Sequence, residues 1–512
     1  MKFSNINNYK IIVIAISLFS FFISIWQSTY VYDAHHWGLV TSNAYDLLNN
    51  KIPYKEIFIQ YGIFTTLSHS IFMKIGSQSV ISIFFFTSVI YSISIYFFFL
   101  IVKNKFEDQL ALFAVLCLVL IHPFVNHPWH NYLTFFFLIL SIFFLEKNIN
   151  KYYFISGFSF SLAVLSYEKF FIVFLLFFIS YVLINLKNKK IKNIFFLSAG
   201  FFIPIIVFFL YINHNQIFFD WIKYHSISEL YIGDNYIIVL LSFLKNLLYN
   251  GIKNFLFEPY WIFFLVLIIL NFVFLYIFLF DKNFVEKKDE YLVYISILSL
   301  GSFSSAIHSL NSFRLATGAF IGIFILIFFL NKIKNTETQR IISFSIIIIL
   351  CLGINFKKSE NNKLYVTPVS FEHFTNNEIK FFKHLKLKKD TWKHTIFFTK
   401  KINEIKEKCI DINYAINYTN NTYYYLLISD FFKTFQIKPW INSKSTLDKQ
   451  TMDLINPNFE TNLKKRIKKN QILIIAELSF QIPENYSYIK LPYSYENKHK
   501  RILIPKRCID KI

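Results

Sequence analysis

The sequence contains only four cysteines and no Cys-x-x-Cys pair, which leaves no cysteine-based redox or metal motif to consider. Cys117 and Cys351 lie in apolar runs, where we interpret them as inert packing residues. Cys409 and Cys508 lie in the polar C-terminal segment and could pair if that segment faces an oxidising compartment. The sequence also lacks internal repeats and low-complexity linkers, so its long apolar stretches are the main guide to its architecture.

Those apolar stretches dominate the composition. Of 512 residues, 55% are hydrophobic and 66 are Phe, and the mean hydropathy is +0.43. Values of this kind are typical of polytopic membrane proteins. The formal net charge of +22 would suggest a nucleic-acid partner in a soluble protein. Because Lys and Arg also mark cytoplasmic loops and membrane surfaces, we expect a membrane protein that binds no nucleic acid.

The apolar segments predict about 11 transmembrane helices. They cover residues 10–30, 78–102, 109–125, 131–146, 152–167, 170–186, 193–212, 259–280, 291–308, 314–331 and 340–356. No small-residue cleavage site follows the first segment, which predicts an anchor helix rather than a removed signal peptide. The sequence therefore predicts an all-α polytopic domain over residues 1–356.

The distribution of Lys and Arg predicts the orientation in the membrane. With the N-terminus inside, alternate loops are basic, and these inside loops contain Lys103, Lys105, Lys147, Lys151, Lys187, Lys189, Lys190, Lys192, Lys282, Lys287, Lys288, Lys332, Lys334 and Arg340. The loop at 122–130 on the other side has neither Lys nor Arg. This pattern predicts that three segments lie on the extracytoplasmic side of the inner (plasma) membrane. They are a long first outer loop (31–77), a second long loop (213–258) and the tail from residue 357. Within the second loop, the apolar run Asn235–Tyr249 is too short to span and is predicted to be an interfacial or re-entrant helix.

The tail, residues 357–512, has a different pattern from the rest of the chain. Its helix-like stretches are Asn376–Leu387, Ile402–Cys409 and Lys464–Lys469, and its β-rich runs are Thr395–Thr399, Tyr423–Ile428, Ile472–Ala476 and Arg501–Pro505. This alternation predicts a small extracytoplasmic α/β domain that is long enough to have its own core.

The first outer loop carries the most unusual side chains. Asp33 follows the first apolar segment, His35 and His36 come next, and Gln60 and Tyr61 lie near the end of the loop. Two interpretations of Asp33 stay open: it can cap a helix that starts here, or it can act as a general base toward an acceptor hydroxyl. His35 and His36 could orient the carboxylate or contact a phosphate, but adjacent residues point apart on a helix and make a weak metal motif.

Three histidines in the second outer loop suggest a different chemistry. His122, His127 and His130 could bind a divalent cation or a sugar phosphate. The alternative is a turn whose prolines end the flanking helices while its rings lie at the membrane interface.

Ionisable residues also interrupt apolar segments on the predicted outer face. Glu168 and Lys169 separate two such segments, and His308 and Arg314 lie at the start of a later one. Charged groups at membrane depth are candidates for function, and a Lys or Arg there can hold a lipid-linked phosphate. The alternatives are a self-satisfied Glu–Lys pair and an Arg that reaches to lipid headgroups.

In this arrangement the sequence resembles the GT-C superfamily of polyprenyl-phosphate-sugar-dependent membrane glycosyltransferases. Within that superfamily it is most similar to bacterial relatives of protein O-mannosyltransferases and lipid A aminoarabinose transferases. The resemblance rests on Asp33 in a long first outer loop, on residues 47–56 (LLNNKIPYKE) and on Gln60-Tyr61-Gly62. It also rests on residues 162–169 (LAVLSYEK) and on the outer tail.

The resemblance implies a function and assigns roles to residues. It implies transfer of a sugar from a polyprenyl-phosphate carrier to an acceptor hydroxyl on a glycan, lipid or protein, with inversion of configuration. Asp33 corresponds to the catalytic base of the family, and Lys169 and Arg314 suit its carrier-phosphate site. Many members have a second acid where this chain has Ala34. No cofactor is expected beyond a divalent cation, and the alternative functions are a transporter or flippase and a non-catalytic scaffold for lipid-linked glycans.

Overall fold

The protein is mostly helical in the parts of the chain described by the computed structural model. These parts are residues 4–30, 33–34, 36–59, 61–122, 124–125, 128–147, 149–224, 236–253, 260–281, 289–306, 312–356, 373–375, 378–434, 458–494 and 499–512. The α-helices are α1 (Ser4–Ser28), α2 (His36–Leu48), α3 (Ile63–Ile75), α4 (Val80–Lys103), α5 (Asp108–Ile121), α6 (His130–Leu145), α7 (Asn150–Ser166), α8 (Phe171–Lys187), α9 (Ile191–His214), α10 (Tyr236–Lys253), α11 (Tyr260–Phe280), α12 (Leu292–Ser302), α13 (Ser312–Asn331), α14 (Thr336–Phe356), α15 (Lys389–Lys408), α16 (Tyr423–Ile428), α17 (Phe459–Lys468) and α18 (Lys506–Ile509).

Each of the eleven predicted apolar segments coincides with one of these helices, and the chain is a multi-pass membrane protein. Six helical stretches in the described residues are long and apolar enough to cross a bilayer: Asn8–Ser28, Val80–Lys103, Glu168–Lys187, Ile191–His214, Tyr260–Phe280 and Arg314–Asn331. Three further apolar helices are shorter: Asp108–Ile121, His130–Leu145 and Tyr291–Ser302. The predicted interfacial helix of the second long loop corresponds to α10.

Burial separates central from peripheral helices. In Arg314–Asn331, 89% of the most apolar stretch is buried inside the protein. In Ile191–His214 the buried share is only 28%. A helix that is apolar all round and buried belongs in the core, whereas an apolar helix left exposed by its neighbours is suited to face lipid. Helix α13 accordingly packs against α5, α6, α11 and α12.

The chain divides into two compact units, which do not follow the chain order. Unit 1 comprises residues 1–26, 87–210 and 235–366, and unit 2 comprises residues 27–86, 211–234 and 367–512. Most of the apolar helices belong to unit 1. Unit 2 combines the predicted first outer loop with the C-terminal tail, so these two segments, hundreds of residues apart in sequence, fold together.

A small mixed sheet forms the centre of the tail. Its strands are β3 (Tyr414–Tyr418), β4 (Lys433–Thr434), β5 (Ile472–Glu477), β6 (Tyr486–Lys490) and β7 (Lys500–Pro505), in the order β4-β3-β5-β7-β6. Strand β3 is parallel to β4 and β5, and β7 is antiparallel to β5 and β6. Helix α17 covers the sheet by burying Phe459 and Leu463 against Ile416, Ile474 and Leu503. The expectation of a C-terminal α/β region is confirmed, and β1 (His373–Thr375) and β2 (Lys386–Lys388) add a separate antiparallel pair.

Two of the predicted strands are wrong and two are right. Ile472–Ala476 and Arg501–Pro505 lie in β5 and β7, but Thr395–Thr399 lies within α15 and Tyr423–Ile428 forms α16. The buried side chains of α15 recur with helical spacing, at Thr391, His394, Thr395, Phe398, Ile402 and Ile405. This 3.6-residue period outweighs the β-propensity of the short run within it. All six residues of α16 are buried. A short run that is buried on every side has no exposed positions to show a period, so its pattern fits a helix and a strand equally well.

Two of the three helices predicted in the tail are confirmed. Ile402–Cys409 and Lys464–Lys469 coincide with the ends of α15 and α17. The predicted helix Asn376–Leu387 is wrong in its described part, which contains only a 3-10 turn at Lys380–Phe382 and the start of β2.

The two cysteines of the tail are free thiols in this structure. Both are buried, and Cys409 Sγ lies 4.0 Å from the carbonyl oxygen of Cys508. Burial and the neighbouring thiol raise the pKa of Cys409 to about 12. Cys409 is therefore protonated at neutral pH and, as a thiol, reacts slowly with oxidants.

Candidate functional site

Asp33 caps the helix that follows it and contacts one histidine through both carboxylate oxygens. The backbone N–H of Trp37 donates to the Asp33 carbonyl at 3.1 Å, and that of His36 donates to Oδ1 at 3.0 Å. The second oxygen, Oδ2, lies 2.7 Å from His36 Nδ1. The Asp33 side chain is 15% exposed and that of His36 is 35% exposed, so the pair is accessible to a ligand. The N-cap interpretation therefore fits the geometry, and it leaves the second carboxylate oxygen paired with the His36 imidazole.

A residue of the tail holds the turn that follows Asp33. Thr422 donates to the Ala34 carbonyl twice, from its backbone N–H at 2.8 Å and from its hydroxyl at 2.6 Å. In return, the Ser42 hydroxyl donates to the Thr422 carbonyl at 3.3 Å. These bonds fix the backbone on both sides of the α2 N-terminus, and they connect it to a residue 388 positions away.

Thr422 is itself held by a buried polar turn. Asn417 Oδ1 accepts from the backbone N–H and the hydroxyl of Thr419, and the Thr419 hydroxyl oxygen accepts from the backbone N–H of Asn421. The Asn421 side chain then accepts from the backbone N–H of Tyr423. A buried polar network whose members satisfy one another holds a single geometry, so the turn gives Thr422 a defined position.

Gly38 allows the tail to approach α2 this closely, and it offers a test of the contact. A Cβ at this position would overlap Thr422 Oγ1 and lie 2.7 Å from the Tyr423 backbone nitrogen. We expect Gly38→Ala to lower stability by about 1–3 kcal/mol, since the backbone of the tail must move to make room. The thermal unfolding midpoint of the purified chain measures this loss.

Gly251→Ala is the matched control for that experiment. A Cβ at Gly251, in the last turn of α10, would approach Ile262 no closer than 3.3 Å, at a side-chain carbon, and replacing a helical glycine by alanine favours the helix. Equal midpoints for the two variants would show that the contact at Gly38 adapts without cost.

A second polar cluster joins the end of α2 to the tail. Asp46 is 2% exposed and accepts from Lys51 Nζ at 2.6 Å and from the Tyr425 hydroxyl at 2.8 Å. Lys51 also donates to the Thr434 hydroxyl at 3.3 Å. Burial raises the pKa of Asp46, and the Lys51 charge opposes that rise. The only local sign of this cluster in the sequence is Lys51, five residues after Asp46 near the end of a helix.

Unit 1 contains a separate group of aromatic and basic residues. Arg314 is only 7% exposed, and its guanidinium lies 5.5 Å from the centre of the Trp129 ring. The Arg314 charge interacts electrostatically with both Tyr167 and Lys169. The centres of the His130 and Tyr167 rings are 4.3 Å apart. Two cations within electrostatic reach of each other, beside aromatic rings, form a setting suited to an anion such as a phosphate.

The other predicted site residues are distributed as follows. Glu168 is half-buried in a 3-10 turn, Glu168–Phe170, that also carries the exposed Lys169, and Tyr61 is half-buried just before α3. His35, Gln60, His127 and His308 lie outside the described residues.

The predicted histidine metal site can be assessed only in part. His122 Nε2 lies 2.7 Å from the Tyr132 hydroxyl, and the Tyr91 hydroxyl donates to the His122 carbonyl. His130 is buried at the start of α6. Among the residues that the structure describes, no three His, Cys, Asp or Glu side chains are grouped so that they could hold a metal ion. Since His127 is outside them, a cation held by His122, His127 and His130 stays a prediction.

Comparison with known proteins supports the fold. Residues 62–212 match the family model of dolichyl-phosphate-mannose-protein mannosyltransferases, a range that includes Glu168 and Lys169 but not Asp33 or Arg314. The structure is similar to that of ArnT from Cupriavidus metallidurans bound to undecaprenyl phosphate, with a TM-score of 0.56, 9% identity, and coverage of 96% of this chain and 97% of that one. Apo ArnT from the same organism matches with a TM-score of 0.46, 9% identity and 98% coverage of both chains. The oligosaccharyltransferase AglB from Archaeoglobus fulgidus matches with a TM-score of 0.48, 10% identity, and coverage of 92% of this chain and 69% of that one.

A search of curated protein sequences gives no significant match. The structural similarity to ArnT nevertheless extends over nearly the whole of both chains. The expected GT-C fold is confirmed: the chain has a polytopic helical domain followed by a small C-terminal sheet region.

Proposed function

We propose that this chain is a membrane glycosyltransferase, which moves a sugar from a polyprenyl-phosphate carrier to an acceptor hydroxyl at the outer face of the membrane. The observation that carries the proposal is the Asp33–His36 pair: an accessible carboxylate and imidazole, held in fixed geometry at the start of α2. It occurs in a chain that has the fold of ArnT, which was solved with bound undecaprenyl phosphate. The acceptor is a hydroxyl of a cell-surface glycan, lipid or protein.

The reaction is a single displacement at the anomeric carbon. The acceptor oxygen forms a bond to that carbon as the bond from the carbon to the phosphate oxygen breaks, and the configuration inverts. The carrier phosphate leaves with the electron pair, and the acceptor proton passes to a base on the protein. Since a phosphate is a good leaving group, cations near it contribute more than a general acid would.

The Asp33–His36 pair can supply the base in two ways. The Asp33 carboxylate can accept the acceptor proton directly. Alternatively, the His36 ring donates from Nδ1 to Asp33 Oδ2, at 2.7 Å, and its Nε2 becomes the base, oriented by the carboxylate. We assign Asp33 as the base and His36 as its partner, because the family resemblance points to the acid. His35, Gln60 and Tyr61, from the same predicted loop, are assigned to substrate contacts.

The carrier phosphate is assigned to Lys169 and Arg314. The supporting observation is that a nearly buried guanidinium, stacked near Trp129, lies within electrostatic reach of an exposed lysine. A guanidinium can bind phosphate through two hydrogen bonds, and a lysine adds a point charge. Glu168 and His308 are assigned to the same donor site.

Replacing each cation tests the donor site. We expect Arg314→Met and Lys169→Met each to weaken binding of undecaprenyl phosphate at least about tenfold, because a hydrogen bond to a charged group contributes about 1.5–3 kcal/mol. The measurement is a titration of the purified chain with this lipid, followed by intrinsic fluorescence. Lys151→Met, which removes an exposed lysine at the start of α7, is the matched control. Unchanged affinity in both variants would move the phosphate site elsewhere.

The function itself is tested in cells. Surface glycolipids and glycoproteins from cells that lack the chain are compared by mass spectrometry with those of complemented cells. We expect one class of molecule to lose a single sugar, and the wild-type gene to restore it. Loss of a whole glycan unit from the surface, with intact lipid-linked precursor accumulating inside the cell, would instead favour a transporter. An unchanged glycan profile would contradict the proposed function.

A further inference from the structure

A polar cavity lies within unit 1, at one end of its helices. Its volume is about 290 Å³, and the ends of α6 and α8 and the beginnings of α7 and α12 enclose it. None of the residues assigned to the proposed reaction lines it. Its apolar wall comes from Ile142, Leu145, Ile184 and Ile295, and the remaining described residues of its lining are polar, aromatic or charged.

The lining of the cavity contains a buried hydroxyl that lacks a hydrogen-bond partner in the described part of the chain. Tyr181 is 2% exposed, and its hydroxyl has no hydrogen-bond partner among the described residues. Tyr153 and Tyr294 are also buried in the lining, and the rings of Tyr181 and Tyr294 meet edge to face at 5.6 Å. A buried polar group without a partner destabilises a protein, so its presence beside a cavity of this size indicates a missing partner.

The lining of the cavity carries charges of both signs. Lys105, Lys190, Glu146 and Glu290 are the charged side chains in its described part. Glu290 accepts from Asn188 at 2.9 Å and forms an ion pair with Lys187, outside the lining, at 3.1 Å. The Lys105 ammonium lies 4.4 Å from the centre of the Tyr291 ring. With Glu290 paired in this way, Glu146, Lys105 and Lys190 still supply both signs, which complements a ligand that carries both.

The geometry points to a zwitterionic ligand with an ammonium group and a phosphate, and we propose that it is the headgroup of a phosphatidylethanolamine-type lipid. Aromatic rings and a carboxylate are suited to an ammonium group, and the cavity lining supplies Glu146 together with the rings of Tyr153, Tyr181 and Tyr294. Lys105 and Lys190 are suited to the phosphate.

Exposed apolar side chains next to the cavity support a lipid source for this headgroup. Leu183, Leu186 and Ile191 are 63%, 50% and 65% exposed, and they flank the lining residues Ile184 and Lys190 along α8 and α9. Acyl chains attached to a headgroup in the cavity would cover this surface. A soluble phosphoethanolamine has the same charged groups but nothing to bury there.

The test is lipid binding by the full chain in detergent, measured by native mass spectrometry. The probes are dioleoyl phosphatidylethanolamine, dioleoyl phosphatidylglycerol and soluble phosphoethanolamine. We expect phosphatidylethanolamine to be retained at least about fivefold more than phosphatidylglycerol. Tyr181→Phe and Glu146→Gln should each reduce that retention by about tenfold, while the unfolding midpoint of the lipid-free Tyr181→Phe variant stays at or above that of the wild type.

Tyr276→Phe is the matched control, because Tyr276 is 63% exposed on α11 and does not line the cavity. Equal retention of the two lipids, or unchanged retention in both cavity variants, would overturn the proposal. Competition by soluble phosphoethanolamine at the affinity of the lipid would overturn the lipid source. Because these readouts measure lipid binding and unfolding, they are independent of any glycosyltransferase activity.

Discussion

Lys51→Met is expected to lower the stability of the chain by about 3–5 kcal/mol, because it leaves the buried Asp46 carboxylate without its cation. Asp46 is 2% exposed, and Lys51 Nζ lies 2.6 Å from its Oδ1. Methionine keeps the length of the side chain, so the change removes charge rather than volume. The midpoint of chemical or thermal unfolding measures the loss.

The same variant should show a defined dependence on pH. Burial raises the pKa of Asp46 above its ordinary value, and Lys51 opposes that rise. A carboxyl group whose pKa is raised by folding contributes stability at low pH, and this contribution is lost as the pH rises through the folded-state value. Without Lys51 the pKa rises further, so we expect the destabilisation by Lys51→Met to be larger at pH 8 than at pH 4.5.

Two further variants make this result specific. Lys55→Met removes an exposed lysine from the same segment and should leave the unfolding midpoint unchanged at both pH values. The double variant Asp46→Asn with Lys51→Met should recover part of the stability, because no charge is then buried alone. A Lys51→Met midpoint that does not differ from wild type at pH 8 would show that the carboxylate finds other partners.

The sequence predicts the positions of the apolar helices well because the signal is local, although only six of the described helical stretches are long and apolar enough to cross a bilayer. Helices α8, α9 and α11 are apolar over almost their whole length. Each apolar run therefore predicts a membrane-spanning helix without information from distant residues. The strands β5 and β7 were found for a similar reason, since both are short runs rich in Ile and Leu that are buried. A strand is predicted wrongly where a short run of β-prone residues lies within a longer helical pattern, as for Thr395–Thr399 within α15.

The contact between the first loop and the tail could not be predicted from the sequence. Asp33 is recognisable in the sequence because polar and aromatic residues cluster around it. Thr422 gives no such signal, since it lies 388 residues from Ala34 and resembles any threonine in a turn. Gly38 gives no local sign that the tail approaches it closely, since a glycine within a helix is usually only destabilising. Such pairings depend on how distant segments fold together, which neither hydropathy nor periodicity encodes.

Asp33→Asn is expected to lower the rate of sugar transfer by about 10²–10⁴ while leaving the fold intact. An amide oxygen can accept the His36 backbone N–H as the carboxylate does, because Asn is about as good an N-cap as Asp. The variant should therefore unfold at the wild-type temperature and still bind undecaprenyl phosphate. What it loses is a group that can take a proton, either directly or by orienting His36.

His36→Gln distinguishes the two ways in which the pair can act. If Asp33 is the base, His36→Gln should lower the rate by much less than Asp33→Asn does, since glutamine can still donate a hydrogen bond near Oδ2. If His36 Nε2 is the base, the two variants should lose activity to a similar degree.

Asp411→Asn is the matched control for both variants, because Asp411 lies in the same unit with a side chain that is 68% exposed. It should transfer sugar at the wild-type rate. Near wild-type transfer by a folded Asp33→Asn protein would remove Asp33 from the mechanism and leave its helix cap as its only role. Normal donor binding with no detectable transfer by the wild-type chain, across a panel of acceptors, would favour a scaffold for lipid-linked glycans over an enzyme. The proposed function therefore depends on whether the oxygen atoms that cap α2 also accept a proton.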